Sequence, residues 1–101
     1  MTIQANYEAE NASLRIAVAG RFDFSCHESF RSAYEDQEDI CDQFVVDLTE
    51  TEYLDSSALG MLLLLRDHGG GDGANIQIVG CNETVRKAFT ISNFDQLFDI
   101  H

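Results

Sequence analysis

Apolar and polar side chains alternate at the start of the chain: Ile3, Ala5 and Tyr7 stand between polar neighbours, and Leu14, Ile16 and Val18 repeat the pattern after a polar stretch containing Asn11. A period of two is that of a strand with one buried face, so the spacing predicts two antiparallel strands joined by a turn. After Gly20-Arg21-Phe22-Asp23-Phe24, Ser25 is placed to cap a helix. Phe30, Ala33 and Tyr34 then recur at helical spacing, predicting a helix from about Cys26 to Asp36.

Phe44-Val45-Val46-Asp47-Leu48 is short, β-branched and apolar on both faces, as expected of a central strand covered on both sides in a parallel or mixed sheet. A polar connection from Thr49 to Leu54 follows. Asp55-Ser56-Ser57 then precede Ala58 to His68, where unbranched Leu and Met favour a buried helix over a buried strand. Gly69-Gly70-Gly71 stop that helix and form a flexible turn. A fourth strand runs from Asn75 to Val79, with Ile76 and Ile78 on one face. Asn82 caps a helix through Val85, Ala88 and Phe89, and a last apolar element, Phe94, Leu97, Phe98 and Ile100, closes the chain. The order β-β-α-β-α-β-α predicts an α/β fold with a mixed sheet and helices packed on at least one face.

The 101 residues form one domain, 1–101, without Pro, repeats or linkers. Composition places the chain among globular proteins, and its charge narrows the class of partner. Eighteen Asp and Glu against six Lys and Arg give a net charge of -12, which argues against nucleic acid or an anionic membrane as a partner. Nine acids (Glu35, Asp36, Glu38, Asp39, Asp42, Asp47, Glu50, Glu52, Asp55) lie between positions 35 and 55 with no Lys or Arg among them. Such a run is either a solubilising face or a docking surface for a basic partner. Cys26, Cys41 and Cys81 include no C-x-x-C, so they read as reduced thiols. The amino-terminal segment has no signal-peptide pattern, and the apolar stretch Ala58 to Leu65 is far short of the ~20 residues of a membrane span. The expected location is the cytoplasm.

Motifs for enzymatic chemistry are missing: there is no G-x-S-x-G, no phosphate loop and no H-E-x-x-H, and His27, His68 and His101 are scattered. Asp23, Asp47 and Asp55 invite comparison with a carboxylate pocket for a divalent cation. A phosphoaspartate receiver would, however, place adjacent acids after its first strand, where this chain reads Ile3-Gln4-Ala5-Asn6-Tyr7. They are read instead as a turn acid, a strand-end acid and a helix cap, with no metal and no cofactor.

The segment with most chemical content is Asp55-Ser56-Ser57-Ala58-Leu59-Gly60, between a strand and an apolar helix. A serine at a helix N-terminus is either a simple cap or a modification site, because a phosphate there faces unsatisfied N–H groups and the positive end of the helix dipole. The dianion adds about -1.5 to -2 charge, and its effect falls on whatever docks nearby.

Gly20-Arg21-Phe22-Asp23, a helix, Val45-Val46-Asp47-Leu48, Tyr53-Leu54-Asp55-Ser56-Ser57-Ala58-Leu59-Gly60, a Gly-rich turn and Ile76-Gln77-Ile78-Val79 together resemble the STAS domain of anti-sigma factor antagonists, from about Ile3 to Ile100. The match to the D-S-[ST]-G-L-G signature departs only at Ala58, where the family usually has Gly. The resemblance implies a STAS-like mixed sheet with helices packed on one face and a non-enzymatic, phosphorylation-controlled partner switch. Ser56 would be the phosphorylated residue. Asp23 and Asp55 would shape its surroundings, and Ser57, Ala58, Leu59 and Met61 would lie nearest the docking surface. The implied partners are a serine kinase, often an anti-sigma factor, of the histidine-kinase-like ATPase fold, to which Mg-ATP belongs, and a PP2C-type phosphatase. The output, in transcription, biofilm or another pathway, is set by the partner. The alternative is a STAS adaptor that is never phosphorylated.

Overall fold

β1 (Thr2–Glu8) and β2 (Ser13–Phe22) form the predicted antiparallel hairpin in a computed structural model that describes residues 2–37 and 41–101. Glu38 and Asp39 of the acidic run lie outside the described residues. β2 continues in parallel register with β3 (Gln43–Asp47), β3 with β5 (Ile76–Val79), and β5 with the short β6 (Asp99–Ile100). The strand order is therefore β1-β2-β3-β5-β6.

From β2 onward the order advances in one direction. Right-handed crossovers then place the connecting helices on a single face. Those helices are α1 (His27–Glu35), α2 (Ser56–His68) and α3 (Glu83–Ile91). The core lies beneath them, where Leu14, Ile16 and Val18 of β2, Phe44 and Val46 of β3 and Ile76 and Ile78 of β5 are buried with Phe30, Leu62, Leu65 and Phe89 from the helices. The alternate residues Arg15, Ala17, Val45, Asp47 and Gln77 are only half-buried. This corrects the expectation that β3 is covered on both sides: a run of apolar residues does not distinguish full coverage from one covered face and one partly open one.

Three local differences from the sequence reading have physical causes. The predicted polar connection contains a strand, β4 (Thr51–Leu54), parallel to β2 beyond a register shift at Gly20. Its buried residues are the outer two, Thr51 and Leu54, with Glu52 and Tyr53 exposed between them, so no period of two is visible. Thr51 is held because its hydroxyl donates to the Val18 carbonyl at 2.6 Å, while the Asn82 side-chain amide donates to the Thr51 carbonyl at 3.2 Å. The first helix begins with a 3₁₀ turn (Phe24–Cys26) capped by Asp23 instead of Ser25. The last apolar element is a 3₁₀ turn (Phe94–Gln96) followed by β6, entered through Asn93 in the left-handed region. Asn82 caps α3 as expected, accepting from the Val85 amide at 2.8 Å.

Gly80 links β5 to α3 with a φ of +78°, and a Cβ there would meet Thr49, its amide nitrogen at only 2.8 Å. Both the left-handed backbone and the close approach require glycine. Gly80→Ala is expected to destabilise the fold by about 2 to 4 kcal/mol in urea unfolding; a loss below about 0.5 kcal/mol would show that the two loops separate freely.

Candidate functional site

β2 and β4 end side by side. Phe22 is the register partner of Leu54, and the Asp55 amide donates to the Phe22 carbonyl at 3.4 Å. The next residue on each strand is an aspartate, so Asp23 and Asp55 stand at neighbouring strand ends. Each caps the segment that follows it. The Asp23 carboxylate accepts from the Ser25 amide at 3.0 Å and the Ser25 hydroxyl at 2.5 Å. The Asp55 carboxylate accepts from the amides of Ser57 at 2.9 Å and Ala58 at 3.3 Å. Asp47, in contrast, is engaged on β3 by the Arg15 guanidinium at 2.7 Å and by Thr49. The described residues contain no group of three or more His, Cys, Asp or Glu placed to hold a metal ion.

Because Asp55 supplies the cap, Ser56 is the first helical residue of α2 and its side chain is exposed. Ser57 is half-buried. From Ser56 each residue advances about 100° around the helix. Gly60, Leu63, Leu64 and Asp67 therefore share the exposed face with it, Leu63 and Leu64 at 40% and 50% accessible. The opposite face, Ala58, Met61, Leu62 and Leu65, is in the core.

This corrects two of the residues expected at the docking surface. Ala58 is 0% and Met61 4% exposed, and both pack inward beneath the helix. The methyl group that distinguishes Ala58 from the family glycine is thus a core group. Leu59 is half-buried against the core and Ser57 lies at the edge of the exposed face. Gly60, Leu63 and Leu64, at i+4, i+7 and i+8 from Ser56, are the residues whose spacing places them on the serine's exposed face.

Two exposed aromatics flank the strand ends. Phe24 follows Asp23 and is 67% exposed, and Tyr53 precedes Leu54 and Asp55 with its ring beneath Arg21, 4.6 Å from guanidinium carbon to centroid. Arg21 also lies 3.7 Å from the Asp23 carboxylate. The exposed groups at the strand ends are therefore aromatic, with the Asp23 carboxylate and the Arg21 guanidinium between them.

A family model described as "Mlab, STAS domain" matches residues 5–99. The STAS-domain containing protein PA14_20770 of Pseudomonas aeruginosa (strain UCBPP-PA14) is 53% identical over 100 residues, spanning 99% of both chains. Among solved structures, the Thermotoga maritima protein TM1081 superposes with a TM-score of 0.82 at 16% identity, over 97% of this chain and 84% of that one. The anti-sigma factor antagonist SpoIIAA in its unphosphorylated form gives 0.71 at 14% identity, over 99% and 87%. Bacillus SpoIIAA in the phosphorylated form gives 0.64 at 16%, over 99% and 91%. At these identities the structural likeness is one of fold.

The Ser25 hydroxyl and amide, with a smaller contribution from Arg21, hold the Asp23 carboxyl below the usual aspartate range. Its depressed value means that the contribution of this cap is fully present above the ordinary aspartate range and is lost as pH falls through the lower folded value. In a carboxyl-resolved NMR titration, Asp23 is expected to titrate below ordinary aspartates, and Ser25→Ala to move it upward. An unchanged titration in Ser25→Ala would show that the serine does not set the charge at this strand end.

Proposed function

The chain belongs to the STAS-domain family, and we propose that it acts as a non-enzymatic partner switch whose docking face is the exposed side of α2 and whose control residue is Ser56. The observation that carries this reading is the position of Ser56. Its hydroxyl is free of capping duty and accessible, and it heads an exposed stripe formed by Gly60, Leu63 and Leu64. Exposed leucines on a helix of a strongly acidic chain favour a protein partner, since scattered solvation does not call for a leucine pair beside an open glycine. Gly60 has nothing within 4 Å of where a Cβ would stand, so a partner's backbone can approach the helix closely there.

In the proposed cycle the partner is a serine kinase of the histidine-kinase-like ATPase fold, and the unphosphorylated domain binds it. The Ser56 Oγ attacks the γ-phosphorus of the kinase-bound ATP, the bond to the β-phosphate oxygen breaks, ADP leaves, and the serine proton passes to a base of the kinase. A PP2C-type phosphatase returns the serine by hydrolysis. The resemblance to anti-sigma factor antagonists supports these partners. The local physics supports the consequence: the phosphate sits at the N-terminal end of α2, where it is tolerated, so its charge acts on the partner and leaves the fold intact. Two carboxylates, Asp23 and Asp55, against one guanidinium, Arg21, leave this end acidic, and desolvating a further dianion against them is unfavourable.

Incubation with ATP and the cognate kinase, followed by peptide mass spectrometry, is expected to place phosphate on Ser56. Ser56→Ala should retain kinase binding and Ser56→Asp should lose it by about 1.4 kcal/mol or more, a tenfold rise in Kd. Phosphate on another residue would overturn the control site, and a chain that binds its partner equally as Ser56→Ala and Ser56→Asp would be the constitutive adaptor.

The docking face has its own test. Leu64→Glu, a change at an exposed position, is expected to leave the unfolding midpoint nearly unchanged and to weaken the complex by about 2 kcal/mol in calorimetry, within the range of interface hot spots. Unaltered binding would move the interface off this stripe.

A further inference from the structure

Edge strands present unpaired backbone donors and acceptors, and folds normally blunt them with Lys, Pro, bulges or shortness. β1 carries none of these devices. It is seven residues long, pairs with β2 from Thr2↔Ala19 to Glu8↔Ser13 without a register shift, and stands at the end of the strand order. The other end, β6, has two residues. Thr2 to Tyr7 are uncharged on a chain of net charge -12, which makes this edge a neutral strip on a strongly acidic molecule. Gln4, Ala5 and Asn6 are exposed, and Ile3 and Tyr7 are half-buried against the core.

From these features we infer that β1 is a self-association edge, its occupant being β1 of a second copy of this chain, added antiparallel about a two-fold axis through Ala5. The register argues for a second copy over any other extended segment. Centred on Ala5, it sets Ile3 against Tyr7 and Gln4 against Asn6, and it sets Glu8, the strand's one charge, against Thr2 instead of another carboxylate. An aromatic opposite a β-branched residue is a favourable cross-strand pair, and like charges in opposition would not be. The contact is isologous and closes at two copies. The path of five strands becomes ten in the dimer, about the usual upper size of an open twisted sheet. This surface is separate from the α2 face and does not depend on Ser56.

The two copies repel through their net charge, so the dimer is expected to tighten as salt rises. That sign is opposite to the salt response of an acidic face holding a basic partner. Sedimentation equilibrium of the full chain between about 0.05 and 0.5 M salt is expected to show a monomer–dimer equilibrium shifting toward dimer. Ala5→Lys should raise the dimer Kd at least about tenfold, as should Ala5→Glu, and mixing the two should restore a one-to-one heterodimer. A chain that remains monomeric up to roughly millimolar concentration at all salts overturns the inference. So does a dimer indifferent to both substitutions. If a variant folds poorly, hydrogen exchange of the wild-type chain decides: on concentration the β1 amides should slow, and protection appearing elsewhere or nowhere overturns it.

Discussion

The candidate site depends on one short parallel ladder, the pairing of β2 with β4 beyond the register shift at Gly20. That ladder sets Phe22 beside Leu54 and hence Asp23 beside Asp55. Each aspartate then takes up the free amides of the segment it starts. Because helix N-termini leave several donors unsatisfied, a capping carboxylate is the ordinary solution, and here it releases the next side chain from that task. The exposure of Ser56 follows from the cap at Asp55. Thr51 and Asn82 hold the ladder in place from the far end of β4, so elements remote from Ser56 fix where it stands.

α2 divides its leucines between two duties. Leu62 and Leu65 are buried and fasten the helix to the sheet, while Leu63 and Leu64 remain accessible. At the C-terminal end the His68 ring lies 4.8 Å from Tyr34 of α1. An apolar stripe on a helix fastened to the core loses less conformational entropy when covered than a loop of the same composition. Gly60 in the middle of the helix weakens it intrinsically, by roughly 0.5 to 1 kcal/mol relative to Ala. The core contacts of Ala58, Met61 and Leu65 on either side offset that weakness.

Much of this was legible in the sequence, and the exceptions share a cause. The hairpin, the central strand, α2, β5 and the Asn82 cap are each marked by a local pattern, and the motif around Ser56 identified the family. β4 was not legible because its burial is imposed by neighbours: Thr51 is buried through a hydrogen bond to Val18, thirty-three positions away, and the acidic Glu52 interrupts the run. The division of α2 into a buried and an exposed face was hidden for a related reason. Residues adjacent to Ser56 in sequence point in different directions on a helix, so Ala58 and Met61 go to the core while Leu63 and Leu64 share the serine's face. A uniform apolar run hides that division until a sheet gives the helix an inside.

The structure also alters the meaning of the acidic surround. Of the carboxylates near the strand ends, Asp55 is committed to two backbone amides and Asp23 to Ser25, so neither is free to meet a basic partner as an isolated charge. Asp47 is likewise committed: burial opposes its charge, but Thr49 and Arg15 outweigh burial and hold it ionised below the usual aspartate range. These carboxylates still count toward the net charge of -12, so any long-range attraction of a basic partner would come from the whole acidic chain. In the proposed docking, short-range recognition falls to the apolar stripe. In the proposed switch a phosphate on Ser56 changes the long-range field by a small fraction of the total charge of -12. Its larger effect is local, because a dianion beside Leu63 and Leu64 must lose water whenever that stripe is covered. In that switch, desolvation at one helix end, more than bulk repulsion, is the term that separates the bound from the released form.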